Sequence, residues 1–382
     1  MCTSEVRALI RSLAVSIILA VAVTAMADEK SDLLNSVGIK PDNGMRGQMD
    51  AVGYVTTAAQ MDSVLSQSLK FSAARRKELA AHGVGDEIVF AAAVCPHDDY
   101  YYASRLYAIV TPHIRARTVI LFGVFHRARA FDCRDRLVFD SFEKWRGPYG
   151  AVNVSPLRDE LIARLPKNDL IVDNDMQQVE HSVEAIVPWL QASNRDVEIV
   201  SIMVPYMQWD IMERLSGEVA AALAAVMKER GLSLGEDVAI VASSDAVHYG
   251  DAGWGGSNRA EFGADKTGYE KAVARDHQLI ASMLTGTVRP SSLRDFLYAC
   301  VDSKDVTQYK ITWCGRFSVP FGLNVASRVQ EALTGRKLSG TLLDYGTSVS
   351  ETSLDLEKIP GLGTTTPNNF HHWVGYPAIG YR

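Results

Sequence analysis

No excess of basic residues marks this chain. Its 382 residues carry 39 Lys and Arg against 45 Asp and Glu, a formal net charge of −6. No dense Lys/Arg cluster is present either, so nothing supports a nucleic-acid partner. Cysteine is scarce: the five are Cys2, Cys95, Cys133, Cys300 and Cys314. They are too few for a disulfide framework in a chain of this length, and too scattered for a zinc ribbon or an iron–sulfur motif. There is no G-x-S-x-G elbow, no Walker A loop and no G-x-G-x-x-G opening a helix after a strand. That sets aside the nucleophile-elbow hydrolases, P-loop nucleotide hydrolysis and dinucleotide-dependent redox chemistry. No internal repeat is found.

What is present is a globular composition, 47% hydrophobic and 22% charged, with enough chain for a sizeable core. At the N-terminus, Arg7 and Arg11 precede an apolar stretch from Leu13 to Val23, followed by Ala25-Met26-Ala27. A basic start, a short apolar segment and an A-x-A site read as a signal peptide over residues 1–27. The apolar stretch is short for a bilayer span. The expectation is an exported chain, periplasmic or secreted, cleaved after Ala27 and keeping no stable membrane span. Cys2 falls inside the signal. Residues 28–50 are polar and read as a linker or an arm leading into one domain over residues 51–382.

Apolar periodicity predicts helices over 60–82, from Pro156, over 182–191 with Ser182 as N-cap, over 209–230 closed by Gly231, and over 268–284, 291–298 and 322–333. Strand-like runs lie at 87–94, 118–123, 197–204, 238–242, 341–345 and 373–381. Alternation of the two predicts an α/β fold: a mixed, mostly parallel central sheet with helices on both faces. Two loop-like segments, 250–263 and 350–372, have the length of lids or binding loops.

Four apolar runs end in side chains suited to a metal or a proton. FAAAVCPH ends in His97, TVILFGVFH in His126, QYKITWC in Cys314, and VAIVASSDAVH in Asp245 and His248. In open α/β sheets, ligands bind beyond the carboxyl ends of strands. One site assembled from distant segments is therefore expected. His97 is followed by Asp98 and Asp99, carboxylates able to orient an imidazole; the bland alternative is a histidine in a surface turn. Gly123 permits close approach beside His126, and Arg127 and Arg129 after it are candidates for an anionic substrate. Arg316 stands two residues from Cys314, where it can lower a thiol pKa; otherwise Cys314 is an inert buried thiol. Asp245 and His248 are spaced to share a hydrogen bond, which would make His248 a general base or acid. A helix N-terminus capped by Ser244 or Asp245 fits the same letters. His181, in Glu180-His181-Ser182, either contacts substrate or packs the helix. His371-His372 is a weaker pair in a loop.

In order along the chain, CPHDDYYYAS, ILFGVFHR, EHSVEAIVPWL, IVSIMVP, ASSDAVHYG, TWCGRFSVP and VGYPAIGYR resemble the Memo family, which includes protein B of the AmmeMemoRadiSam system. The resemblance covers roughly residues 50–382. It implies a fold similar to class III extradiol dioxygenases, which use non-haem iron. It also implies a metal set of His97, His126 and Cys314, with Asp245 and His248 lining the same pocket and His248 in the position of the dioxygenase-like base. His181, Arg127 and Arg316 become the expected substrate contacts. A cysteine in place of the dioxygenase carboxylate favours a single Fe(II) or Cu over Mg²⁺ or Ca²⁺. The chain departs from the family beside the ligands. PHDDY stands for P-H-A-G-Y, GVFHR for G-P-S-H-H and CGRFS for C-G-R-H-P, and export is itself unusual among cytosolic relatives. The expected activity is a metal-dependent oxidoreductase acting on a small molecule. The alternative is a non-enzymatic module that sequesters metal or binds a peptide in the same pocket.

Overall fold

A computed structural model describes residues 28–350 and 353–382. The predicted signal peptide lies outside the described residues. Among them, no helix is long and apolar enough to cross a membrane.

Among the described residues, thirteen strands form one sheet. They are β1 (Met45–Arg46), β2 (Ala92–Cys95), β3 (Thr118–Val124), β4 (Leu137–Phe139), β5 (Lys144–Gly147), β6 (Gly150–Val154), β7 (Leu170–Val172), β8 (Glu198–Val204), β9 (Val238–Ser243), β10 (His248–Tyr249), β11 (Gly286–Thr287), β12 (Ser339–Thr347) and β13 (Trp373–Tyr381). The main order is β1-β5-β6-β8-β3-β9-β2-β13-β12-β11. Its centre, β6-β8-β3-β9-β2, is parallel throughout, and β13 closes on β2 antiparallel. This is the mixed α/β architecture expected, with a mostly parallel core.

Alternation along the central strands feeds two apolar layers, as a sheet buried on both faces requires. Ile120 and Phe122 of β3 join Ala92 and Val94 of β2 under the Trp209–Arg230 and Ser318–Thr334 helices. Val119 and Leu121 join Ala93 and Cys95 on the other face, under the Ala58–Ala81 and Tyr100–Val110 helices. The Trp209–Arg230 helix ends where predicted, with Gly231 left-handed at φ 66°. That conformation is cheap only for glycine.

Several expectations need correction. The predicted 87–94 strand shortens to β2, because the chain before Ala92 is irregular. Ser182 is not a helix N-cap. The helix starts at Val187, and the Ser182 hydroxyl instead donates to the Val124 carbonyl. QYKITWC is not a strand; isolated bridges at Tyr309 and Trp313 hold it. The Tyr100–Val110 helix was hidden by its continuous apolar and aromatic run, which packs along its whole length on one layer. Residues 28–50, read as a linker or an arm leading into the domain, include two residues that pack against it. Arg46 is fully buried and ion-paired with Glu184, and Gly47 donates to Gln178.

Candidate metal centre

Parallel register brings the site together. Cys95 at the end of β2 pairs with Ser243 at the end of β9, and Phe122 of β3 pairs with Ala242. His97, His126 and Asp245 each follow their strand by two residues, so all three emerge at one sheet edge. Cys314 arrives from elsewhere. The bridge between Trp313 and Val247 and a 3.1 Å hydrogen bond from the Cys314 amide to the Ala246 carbonyl set it beside them. Gly123 matters here as expected: a Cβ there would stand 2.5 Å from Val183 Cγ2 and 3.0 Å from Ser182 Oγ.

Hydrogen bonds orient both imidazoles. Ser243 donates its hydroxyl to the Ser182 carbonyl, so it accepts from His97 Nδ1 at 2.7 Å. Glu180, a buried carboxylate, accepts from His126 Nδ1 at 2.8 Å and from the amides of His126, His181 and Ser182 at 2.7, 2.9 and 3.0 Å. With Nδ1 donating in each ring, Nε2 is the atom left to face a metal once it gives up any proton it holds. The two Nε2 atoms converge on Cys314 Sγ, at 3.2 Å from His97 and 2.9 Å from His126. Asp245 Oδ2 lies 3.4 Å from His97 Nε2, and its Oδ1 accepts the His97 amide at 2.9 Å. His97, Asp245 and Cys314 place one donor atom each within 4.8 Å of one another, as do His97, His126 and His181.

Charge follows this geometry. Burial pushes the Cys314 thiol up, but the imidazoles of His126, His97 and His248 outweigh it and hold it well below the ordinary thiol range. Burial also opposes charge on Glu180, yet His126, His181 and the amides that point at it keep it strongly ionised. His181 lies nearly parallel to His126, with ring centres 4.8 Å apart. Burial and then the His126 charge lower its pKa to about 3.

The expected Asp245–His248 hydrogen bond is not formed, since 3.8 Å separates Oδ2 from Nε2. No helix starts there either: His248 begins β10, paired with β13. His248 Nε2 is buried and has no hydrogen-bond partner.

The cluster opens on a cavity of about 500 Å³. His97, His126, His181 and His248 line it together with Asp50, Asp98, Asp99 and Asp245, and among the described residues no lysine or arginine does. Asp98 accepts from Tyr376 at 2.6 Å and Asp99 from the Thr365 amide at 2.6 Å. Burial raises both carboxyls. The Asp245 charge adds to this at Asp98, and the Asp98 charge at Asp99. Trp254, from the first long loop, stacks on His372, from the second, with ring centres 3.9 Å apart, and it lines the cavity with Thr365 and Thr366. The two loops therefore form part of one wall. His371 is exposed on an ion pair with Asp251, away from the metal cluster.

Of the expected substrate contacts, His181 lines this cavity. Arg127 is exposed and lines neither it nor the smaller cavity beside Cys314, where Arg316 lies. Reasoning from sequence missed Glu180, Ser243 and Tyr54, whose hydroxyl donates to the His97 carbonyl. Glu180 had a signal in standing directly before His181; Ser243 and Tyr54 had none. Cys95, Cys133 and Cys300 are buried free thiols, so no disulfide forms among the described residues.

The chain matches the Memo-like protein family over residues 54–362. It belongs to the Memo family. Among curated relatives, a MEMO1 family protein of Methanosarcina barkeri is 31% identical over 159 residues, 41% of this chain and 54% of that protein. One from Pyrococcus furiosus is 29% identical over 170 residues, 42% and 53%. One from Archaeoglobus fulgidus is 31% identical over 165 residues, 43% and 57%. The chain thus spans about half the length of the curated relatives it matches. Within this Memo-like domain, the segments quoted for the resemblance supply His97, His126, His181, Asp245, His248 and Cys314 to one cluster.

Proposed function

We propose that this Memo-like chain is an exported metalloprotein and a non-haem oxidoreductase with dioxygenase-like site geometry, its single Fe(II) or Cu held by His97, His126 and Cys314. The observation that carries this reading is the convergence of two imidazole Nε2 atoms, each ring oriented by a hydrogen bond behind it, on one buried sulfur. Metal-binding histidines characteristically have such partners. A thiolate among the donors suits iron or copper. The unpartnered, buried Nε2 of His248 adds a polar atom that the protein alone leaves unsatisfied.

The bound metal would supply Lewis acidity and electron transfer to a small substrate. The chain's own residues would do the rest. Ser243 and Glu180 keep the two imidazoles in the ligating tautomer. His248 Nε2 gives or takes a proton within the cavity. Tyr54, Trp254 and the two long loops limit the access of water.

The test is anaerobic metal analysis of the full chain, with His97→Ala, His126→Ala and Cys314→Ala beside it. Each variant should lose stoichiometric metal, and retention in all three would refute the site. Oxygen consumption with a panel of catechols under Fe(II) then decides the activity. Stoichiometric metal without turnover would replace the enzyme by a sequestering or peptide-binding module. Export is tested by N-terminal sequencing of the periplasmic or secreted form, which should begin at Asp28.

A further inference from the structure

A second cavity of about 260 Å³ reaches Cys314 and shares only His126 with the acidic one. Its chemistry is the reverse. Arg129, Arg316, Tyr206 and Tyr309 line it, and among the described residues no aspartate or glutamate does. Arg316 lies over the Tyr309 ring, its guanidinium carbon 3.6 Å from the ring centre, and Arg129 approaches the same ring at 5.6 Å. The two like charges are therefore no farther apart than the sum of those distances. Like charges gathered in a recess repel, and a carboxylate usually relieves them.

Among the described residues, neither guanidinium is hydrogen-bonded to a carboxylate. Asp305, beside Arg129, is an exposed residue that spends its carboxylate on the Thr307 amide and hydroxyl, at 3.0 and 2.7 Å. Arg316 uses one nitrogen on the Trp313 carbonyl, and its Nε is buried with no acceptor. Arg129 uses one on the Thr307 carbonyl at 2.8 Å. Buried N–H groups without acceptors are rare in folded proteins. The field is felt by Tyr309: burial opposes its ionisation, but Arg316 and Arg129 outweigh burial and lower its pKa.

We infer that this cavity is a binding site for a small oxyanion, a carboxylate or a phosphate, held by Arg316 and Arg129 beside Cys314. The planar guanidinium fork matches two oxygens of such a group. The volume suits a small anion rather than a drug-sized ligand. The Memo-like centre would then be approached by two unlike routes, one acidic and one basic. The inference does not depend on the metal or on turnover.

The experiment is calorimetric titration of inorganic phosphate, and separately acetate, into the metal-stripped full chain. At least one of the two should bind saturably. Arg316→Gln and Arg129→Gln should each weaken it tenfold or more, while Asp98→Asn, which alters only the acidic cavity, should leave it unchanged. Arg316 also holds the Trp313 carbonyl, so Arg129→Gln, at an exposed side chain, is the variant that separates binding from folding. Saturation by neither anion, or unchanged affinity in Arg129→Gln, would overturn the assignment. Because the protein is stripped, failure here leaves the metal proposal standing, and loss of metal binding leaves this site standing.

Discussion

Replacing Arg46 by Met tests whether the arm before the domain supports the candidate metal site. Arg46 is fully buried. It forms an ion pair with Glu184, donates to the carbonyls of Gln177, Glu180 and Gly47, and lies 4.2 Å over the Trp145 ring. Glu184 is 5% exposed and also accepts the amides of Met49 and Asp50, at 2.9 and 2.7 Å. Methionine keeps much of the packing and removes the charge. The Glu184 carboxylate is then left buried without a cation, which costs about 3–5 kcal/mol. The freed carbonyls add to this, though not additively, at about 1–3 kcal/mol for each one left unsatisfied. A loss near 4 kcal/mol is expected in urea unfolding. Arg46→Met/Glu184→Met should cost less than the two single changes together, because no unpaired charge remains. Hydrogen exchange should quicken over residues 45–54, which carry Met49, Asp50 and Tyr54 into the cavity wall. Metal affinity should fall as well, since Arg46 braces the backbone of Glu180, the partner of His126. A loss below about 1 kcal/mol, with exchange over 45–54 unchanged, would refute this account of a buried, unshared charge.

Two further outcomes follow from the same geometry. Glu180→Gln should lower metal affinity about 10–100-fold, the usual effect of losing a partner behind a ligating histidine; competition against a chelator measures it, and wild-type affinity would show that the Glu180 hydrogen bond does not orient His126. Asp276, buried behind β10 with Oδ1 unsatisfied, has its pKa raised by burial to about 7, despite hydrogen bonds from Tyr345 and the Val247 amide. The folded state therefore holds that proton where the unfolded chain has released it. Its stabilising contribution is present at low pH and is lost as pH rises towards about 7, at no more than about 1.4 kcal/mol per pH unit. Asp276→Asn should remove that slope. Parallel unfolding curves from about pH 5 to pH 8 for the two proteins would contradict it.

Legibility in the sequence tracked locality. The Trp209–Arg230 helix and β13 were readable to the residue, because each has its own periodicity or unbroken apolar run and a clear stop. The residues of the cluster were readable because each apolar run ended in a polar side chain, and the runs before His97 and His126 proved to contain parallel strands. The third, ahead of Cys314, failed as a strand although Cys314 itself reaches the same cluster. A bridge to Val247 and the Ser318–Thr334 helix behind it hold that segment, not a ladder of its own.

By itself, then, the sequence determined the α/β alternation, the Memo family pattern and which side chains stand at the strand ends, since all of these are properties of short windows. Only the tertiary structure decided which of those side chains meet and in what state. The partner of His97 is 146 residues away and that of His126 is 54 away, distances across which no periodicity speaks. Tertiary structure also turned Arg127 to solvent, put Arg316 in a cavity of its own and filled the larger cavity with four aspartates. The physical reason is that hydrogen-bond direction, and the field a charge feels, depend on neighbours in space, and the parallel register of β2, β3 and β9 chooses those neighbours.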